Sequence, residues 1–203
     1  MYLFIAFIII IFSVTNMIAD VLLVSGKRPG MGKESGEAIA ERTPIKHLFI
    51  SAVLGLISIS MWITPIYFLR HLPTSTGTWA MLFFAFYICS CAAFHVTVAY
   101  SVLCYKCNPE LITNLKKVMM IFGFICVFWS SLYTISIIRL STNHSLNLHF
   151  FHYITLPIFS MIIVQFLLPK VFKKVLHFSS IAGTLGMMIS LLSTIHFMAM
   201  NHI

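Results

Sequence analysis

Residues 2–24 read YLFIAFIIIIFSVTNMIADVLLV, an apolar run in which Asp20 is the only charged side chain. A bilayer core takes about 20 residues of helix to cross, and backbone polar groups find no water in lipid, so a run of this kind has to be helical. The run therefore predicts a transmembrane helix. We expect it to be a retained span and not a cleaved signal peptide, because no Lys or Arg precedes Ile10 and no A-x-A site follows.

Five more apolar runs of similar length follow the first one. Of the 203 residues, 60% are hydrophobic and 9% are charged, whereas a soluble domain carries about 25% charged residues. We therefore predict an all-α fold, a polytopic transmembrane bundle of six helices in a single domain, 1–203. Pro65 and Pro157 fall within spans and are expected to kink them. The predicted spans cover about residues 2–24, 47–69, 77–105, 118–138, 148–168 and 175–200.

The basic residues indicate how such a bundle is oriented. The net charge is +8, and 11 of the 13 Lys and Arg residues lie in the connections after spans one, three and five. Only Arg70 and Arg139 lie on the opposite side. Cytoplasmic connections of membrane proteins are enriched in Lys and Arg, so both termini are predicted to be extracytoplasmic. Basic residues at helix ends suit anionic headgroups, so the predicted partner is the lipid bilayer, and nucleic-acid binding is not expected.

The five cysteines do not form a recognisable disulfide or metal motif. Their odd number and their positions within spans argue against a disulfide framework. Cys104 and Cys107 have CxxC spacing, but no second pair completes a zinc site.

Small residues recur at four-residue intervals on two of the predicted spans. Ser51 and Gly55 form such a pair in span two, and Ala182 and Gly186 form one in span six. In membranes, small residues allow helix backbones to approach closely. Both pairs therefore predict helix packing.

Asp20 is the only acidic residue within a predicted span. It lies seven residues before Lys27, about 10 Å deep at 1.5 Å per residue, and Ser13 and Asn16 share its helix face. An unpaired charge at that depth costs several kcal/mol, about 2.5–3.5 on insertion scales. The carboxyl group is therefore expected to be protonated, paired or hydrated. A structural hydrogen bond to a neighbouring span and a functional role both remain open.

His95 lies about 16 Å from Lys106 along the third span, and Cys91 and Ala99 on its face leave room around the ring. We predict that Asp20, Asn16, His95 and His47, which begins span two, line one cavity in the inner half of the membrane. This cavity is the predicted binding site for a small lipophilic or amphipathic ligand. The alternative for His95 is a core histidine whose hydrogen bonds are satisfied within the protein.

A second group of histidines lies near the opposite side. His149 and His152 share a face of span five, and His196 lies at similar depth in span six. A haem-binding membrane cytochrome, with haem b held by His152 and His196, is the alternative function. The competing interpretation is that these histidines face water at the interface. No other metal or cofactor is predicted.

Three segments resemble uncharacterised six-span membrane protein families of bacteria. These are Ile18-Ala-Asp20-Val-Leu-Leu with the basic Gly-rich loop after it, Thr43-Pro-Ile-Lys-His47, and the segment around His95. The resemblance covers the first half of the chain and implies a multi-pass protein of the bacterial inner (plasma) membrane. The sequence leaves open whether a ligand would be transported, sensed or modified, or whether the chain is a non-catalytic scaffold or partner subunit.

Overall fold

The computed structural model of the protein describes residues 1–28, 35–72, 74–164 and 178–201, and every regular element among them is a helix. The all-α prediction is confirmed for this part of the chain. A short 3₁₀ turn, Pro109–Leu111, joins two of the long helices. In chain order the helices are α1 (Tyr2–Leu23), α2 (Gly36–Arg42), α3 (Ile45–Met61), α4 (Ile66–Leu69), α5 (Ser75–Cys107), α6 (Ile112–Thr142), α7 (Phe150–Ile154), α8 (Pro157–Ile162) and α9 (Phe178–Met200).

Among the described residues, five helical segments are long and apolar enough to cross a membrane, as expected of a multi-pass membrane protein. The predicted span at 148–168 contains the short helices α7 and α8. The predicted end of this span and the start of span six fall in residues 165–177, which lie outside the described residues. The five segments are Tyr2–Leu23, Ile45–Leu69, Ser75–Cys107, Ile112–Thr142 and Ile181–Met200.

The two prolines within predicted spans separate helices and do not merely kink them. Helix α3 ends at Met61, a turn follows, and Pro65 precedes the first residue of α4. Pro157 is the first residue of α8, two residues after α7 has ended. Proline lacks the N–H that would continue the preceding helix, but it is well suited to the first turn of a new one.

The long helices pack as neighbours around one interior. Helix α1 packs against α3 and α9, and α5 packs against α3 and α6, while α8 lies between α6 and α9. Gly186 brings α9 close to α8, because a Cβ at this position would lie 3.2 Å from the Ser160 carbonyl oxygen. The prediction that Gly186 serves close packing is confirmed. Fully buried aromatic side chains fill the centre of the bundle: Phe68, Phe84, Tyr87, Tyr133 and Phe197.

Helix α2 is fixed at the end of the bundle where α1 and α5 terminate, which we call the basic end. The Lys106 amino group donates hydrogen bonds to the Glu41 and Thr43 carbonyl oxygens, both at 2.9 Å. Arg42 Nε donates to the Gly26 carbonyl oxygen at 2.8 Å. These bonds satisfy carbonyls that a helix C-terminus otherwise leaves without partners.

Candidate functional site

The polar face of α1 points into the bundle. Ser13 and Asn16 are buried, and the Asp20 side chain is only 13% exposed. One helix face carries all three because positions i, i+3 and i+7 align at 3.6 residues per turn. The shared face expected from the sequence is therefore present, and it places one carboxyl group in the interior.

Asp20 meets His95 across the bundle. Oδ1 of Asp20 lies 3.5 Å from Nδ1 of His95, and the His95 side chain is 8% exposed. The other carboxyl oxygen, Oδ2, accepts a hydrogen bond from the Thr184 hydroxyl group at 2.5 Å. The structure thus joins two side chains from α1 and α5, and it adds a third from α9.

The hydrogen bonds fix the position of one proton on His95. Its Nε2 is 3.2 Å from the Ser51 carbonyl oxygen, which can only accept, so Nε2 carries hydrogen. If Nδ1 and Asp20 were both without a proton, two lone pairs would face each other. A proton on the carboxyl group or on Nδ1 would remove this repulsion, and the pair as a whole would then be neutral.

Gly55 makes the approach of His95 to α3 possible. A methyl group at this position would overlap the imidazole ring. The ring occupies the space that a side chain would fill, and this lets Nε2 reach the Ser51 carbonyl oxygen on the same helix. The small pair Ser51 and Gly55 was predicted to serve helix packing, and in the structure it also seats the histidine.

A directional chain of hydrogen bonds extends from the pair to a second α1 residue. Asn16 Nδ2 donates to Thr184 Oγ1 at 2.7 Å, and Thr184 in turn donates to Asp20. Chains of this kind polarise each bond in the same direction. Asn16, Thr184, Asp20 and His95 form one connected group, which we call the polar cluster.

The polar cluster opens onto a cavity of about 440 Å³. This volume lies within the usual range of small-molecule sites, about 300–1,000 Å³. Besides the polar cluster, its wall is mostly apolar, aromatic or sulfur-containing: Leu23, Val24, Ile59, Trp62, Tyr87, Cys91, Phe94, Val98, Gly123, Cys126, Val127, Met161, Gly183 and Met187.

Two buried polar atoms of cavity residues have no hydrogen-bond partner in the described part of the chain. They are Oδ1 of Asn16, an acceptor, and Nε1 of Trp62, a donor, and each residue is only 2% exposed. Leaving such a group unpaired costs about 1–3 kcal/mol. Both atoms have almost no accessible surface, so they are enclosed in the cavity wall and not open to the cavity itself.

His47 lies apart from the cavity. Its Nδ1 is 2.9 Å from the Ser25 hydroxyl oxygen at the basic end, and it is not among the residues that line the cavity. His47 is in the first turn of α3, two turns before Gly55, so its ring lies about 12 Å along the helix from the level of His95. The structure therefore does not bring His47 to the cavity that Asp20, Asn16 and His95 line.

His152 and His196 lie together, but their facing nitrogens bond each other. Nδ1 of His152 accepts from the His149 backbone N–H at 3.0 Å, so Nε2 carries the proton and donates to Nδ1 of His196 at 2.8 Å. Two nitrogens on a shared metal would stand about 4 Å apart, twice a metal–nitrogen bond of about 2 Å. The haem b alternative stays a prediction, and it requires this pair to open.

No protein-family model, curated protein or solved structure matches the chain. The candidate site therefore rests on its own geometry. Sequence reasoning missed Thr184, Trp62 and Tyr87. Tyr87 and Cys91 precede His95 at four-residue spacing, which would have placed them on one face, whereas nothing in the sequence distinguishes Thr184 from the other Ser and Thr residues of α9.

Proposed function

We propose that the protein is a six-span membrane protein that binds a small amphipathic molecule in the cavity beside Asp20 and His95. The observation that carries the proposal is an acid–histidine pair, with Asp20 Oδ1 3.5 Å from His95 Nδ1, that lines an otherwise mostly apolar cavity between helices long and apolar enough to span a membrane. Ionisable groups at such depth are rare in membrane proteins, and they usually mark functional sites. The proposal includes cytoplasmic placement of the basic end and a bacterial inner membrane.

The lining defines the chemistry of the proposed ligand. Leu23, Phe94 and Val98 offer an apolar surface for a hydrocarbon body. The Asp20, His95 and Thr184 side chains in the cavity wall suit a headgroup that both donates and accepts, such as a hydroxyl or an amide. Beside a neutral Asp20–His95 pair, a strongly charged headgroup would be left without compensation in a low-dielectric site.

Trp62 provides a direct reporter for this proposal. With Trp79 and Trp129 replaced by Phe, Trp62 is the only tryptophan of the chain. A terminally brominated medium-chain alcohol serves as the probe, because bound bromine quenches indole fluorescence at contact. We expect saturable quenching by the probe in the detergent-solubilised protein. Linear, non-saturating quenching would show only partition into the micelle and would overturn the proposal.

Gly183 offers a matched cavity-filling control. It lines the cavity, and a Cβ built there meets nothing within 4 Å. Gly183→Leu should therefore extend a side chain into the cavity from an unobstructed Cβ, keep the melting temperature and abolish saturable quenching. Unchanged quenching in this variant would contradict binding in the cavity.

Asp20→Asn tests the role of the acid within the site. The variant keeps the shape and an oxygen for the Thr184 hydroxyl group, but it removes the ionisable carboxyl group that faces His95. We expect the melting temperature to be nearly unchanged and the probe affinity to fall about tenfold, the effect of about 1.4 kcal/mol. Wild-type affinity in this variant would make Asp20 a purely structural residue.

A further inference from the structure

Four sulfur-containing side chains, from four different helices, line the cavity. They belong to Cys91 on α5, Cys126 on α6, Met161 on α8 and Met187 on α9. The Tyr87 hydroxyl group lies among them and is fully buried. We call these four residues the sulfur cluster.

The two thioethers approach the same hydroxyl group. Tyr87 Oη lies 2.7 Å from Sδ of Met187 and 3.1 Å from Sδ of Met161, so the two sulfur atoms are no more than 5.8 Å apart. A hydroxyl group has one hydrogen and can donate fully to only one of them. At least one thioether therefore keeps its lone pairs for another partner.

The two thiols come from the neighbouring helices α5 and α6. Cys91 and Cys126 line the same cavity as Tyr87 and the two methionines. Cys91 is one helical turn from Tyr87 and one turn from His95, so the sulfur cluster and the polar cluster are separated by about 6 Å along α5. All five cysteines are free, so both thiols are available as ligands.

We propose that the sulfur cluster binds a single Cu(I) ion. Thioether and thiolate sulfurs are soft ligands that favour Cu(I), and thioethers are poor ligands for the harder divalent ions. One thiolate neutralises one Cu(I), while the methionines add ligands without charge. The resulting site is neutral, which suits a membrane interior, where a net charge is expensive. One thiol proton is released when the metal binds.

This proposal concerns cavity residues other than the polar cluster and does not rest on the proposal of an amphipathic ligand. Tight apolar packing of sulfur side chains is the competing explanation, and it predicts no metal affinity. The two explanations separate in a direct titration. The probe is Cu(I) itself, added anaerobically to untagged, detergent-solubilised protein in competition with the chelator bathocuproine disulfonate.

The expected result is one Cu(I) per chain with an X-ray absorption spectrum that shows a sulfur-only first shell. Cys91→Ser and Cys126→Ser should each weaken Cu(I) binding at least about a hundredfold, because even outer-shell partners of metal ligands contribute 10–100-fold. Met187→Leu, which keeps the apolar volume, should weaken it about tenfold. Cys89 and Cys107 are exposed and outside the cavity, so Cys89→Ser and Cys107→Ser are matched controls that should bind as wild type.

Several outcomes would overturn the copper site. The wild-type protein could fail to compete with the chelator for Cu(I), or Cys89→Ser and Cys107→Ser could weaken Cu(I) binding as much as the cluster variants do. The X-ray absorption spectrum could also show nitrogen ligands to copper that disappear in His152→Ala. If a serine variant does not fold, the X-ray absorption spectrum of copper in the wild-type protein still tests whether the ligands are sulfur atoms. Asp20→Asn should retain Cu(I) binding, and probe binding is measured on the wild-type protein without copper, so failure of one proposal is distinguishable from failure of the other.

Discussion

At the scale of single residues, His95 is held by three contacts of different kinds. The Ser51 carbonyl oxygen accepts from Nε2, Asp20 faces Nδ1, and Gly55 leaves room for the ring. Each ring nitrogen of His95 therefore faces a defined partner, and the ring cannot rotate without losing a buried contact. Because the contact with Asp20 depends on this orientation, a change at Gly55 should alter the site although glycine itself has no polar side chain.

Gly55→Ala tests whether His95 depends on the missing side chain. The added methyl group would overlap the imidazole ring, and inserting a methyl group into a packed interior costs about 1–3 kcal/mol. We expect a lower melting temperature in detergent and weaker probe binding. Gly123→Ala is the matched control, because its Cβ would meet Phe94 at an ordinary 3.8 Å, and replacing a helical glycine by alanine gains up to about 1 kcal/mol.

A double-mutant cycle distinguishes this contact from general damage to α3. In Gly55→Ala/His95→Ala the ring that would collide is absent, so the double variant should lose clearly less stability than the sum of the two single variants. Additive losses would mean that Gly55 and His95 do not interact.

At the scale of helices, the sequence predicts most of the elements but not their pairing. Long apolar runs made α1, α3, α5 and α6 predictable, since lipid leaves the backbone no alternative to helix. The position of Asp20 and His95 at compatible depth followed from their spacing to the basic residues. Their partner Thr184 did not, because membrane helices pack through small residues and shape, without a pattern that identifies the neighbouring helix.

The break between α7 and α8 in predicted span five was also not predictable from the sequence pattern. Pro157 predicted a kink, but where α7 ends and α8 begins depends on local hydrogen bonds. In α7, His149 and His152 cap each other through reciprocal side-chain and backbone bonds. The hydroxyl group of Thr155 bonds to the carbonyl oxygens of Phe151 and His152. These contacts are specific to the folded chain, and periodicity does not reveal them.

Lys106 is expected to control the local stability of α2. Its amino group bonds the Glu41 and Thr43 carbonyl oxygens at the end of this seven-residue helix. Hydrogen bonds to a charged group contribute about 1.5–3 kcal/mol, and a helix this short is marginal by itself. Lys106→Met should therefore raise amide hydrogen exchange in 36–42 by about tenfold or more. Lys117→Met is the control, and equal exchange in both variants would contradict the role of Lys106.

At the scale of the whole molecule, the cavity exists because several membrane-spanning helices each contribute a wall. Helix α1 provides Asn16 and Asp20, α5 provides His95, and α9 provides Thr184. Removing one helix would expose polar groups to lipid, where they would lack partners. The cavity is therefore a property of the assembled bundle, and its access route depends on which side of the membrane the basic end occupies.

The distribution of basic residues predicts the orientation of the bundle, and this prediction can be tested in whole cells. Because 11 of the 13 Lys and Arg residues lie in the same three connections, the positive-inside rule predicts that those connections are cytosolic. In a variant without the five native cysteines, we introduce either Gly32→Cys in the first basic connection or Thr76→Cys near the start of α5. A membrane-impermeant maleimide should label Thr76→Cys in intact cells and Gly32→Cys only after the membrane is permeabilised. The reverse labelling pattern would place the basic end outside the cell. The polar cluster is nearer to the basic end than the sulfur cluster is, so the polar cluster would then lie nearer the extracytoplasmic side.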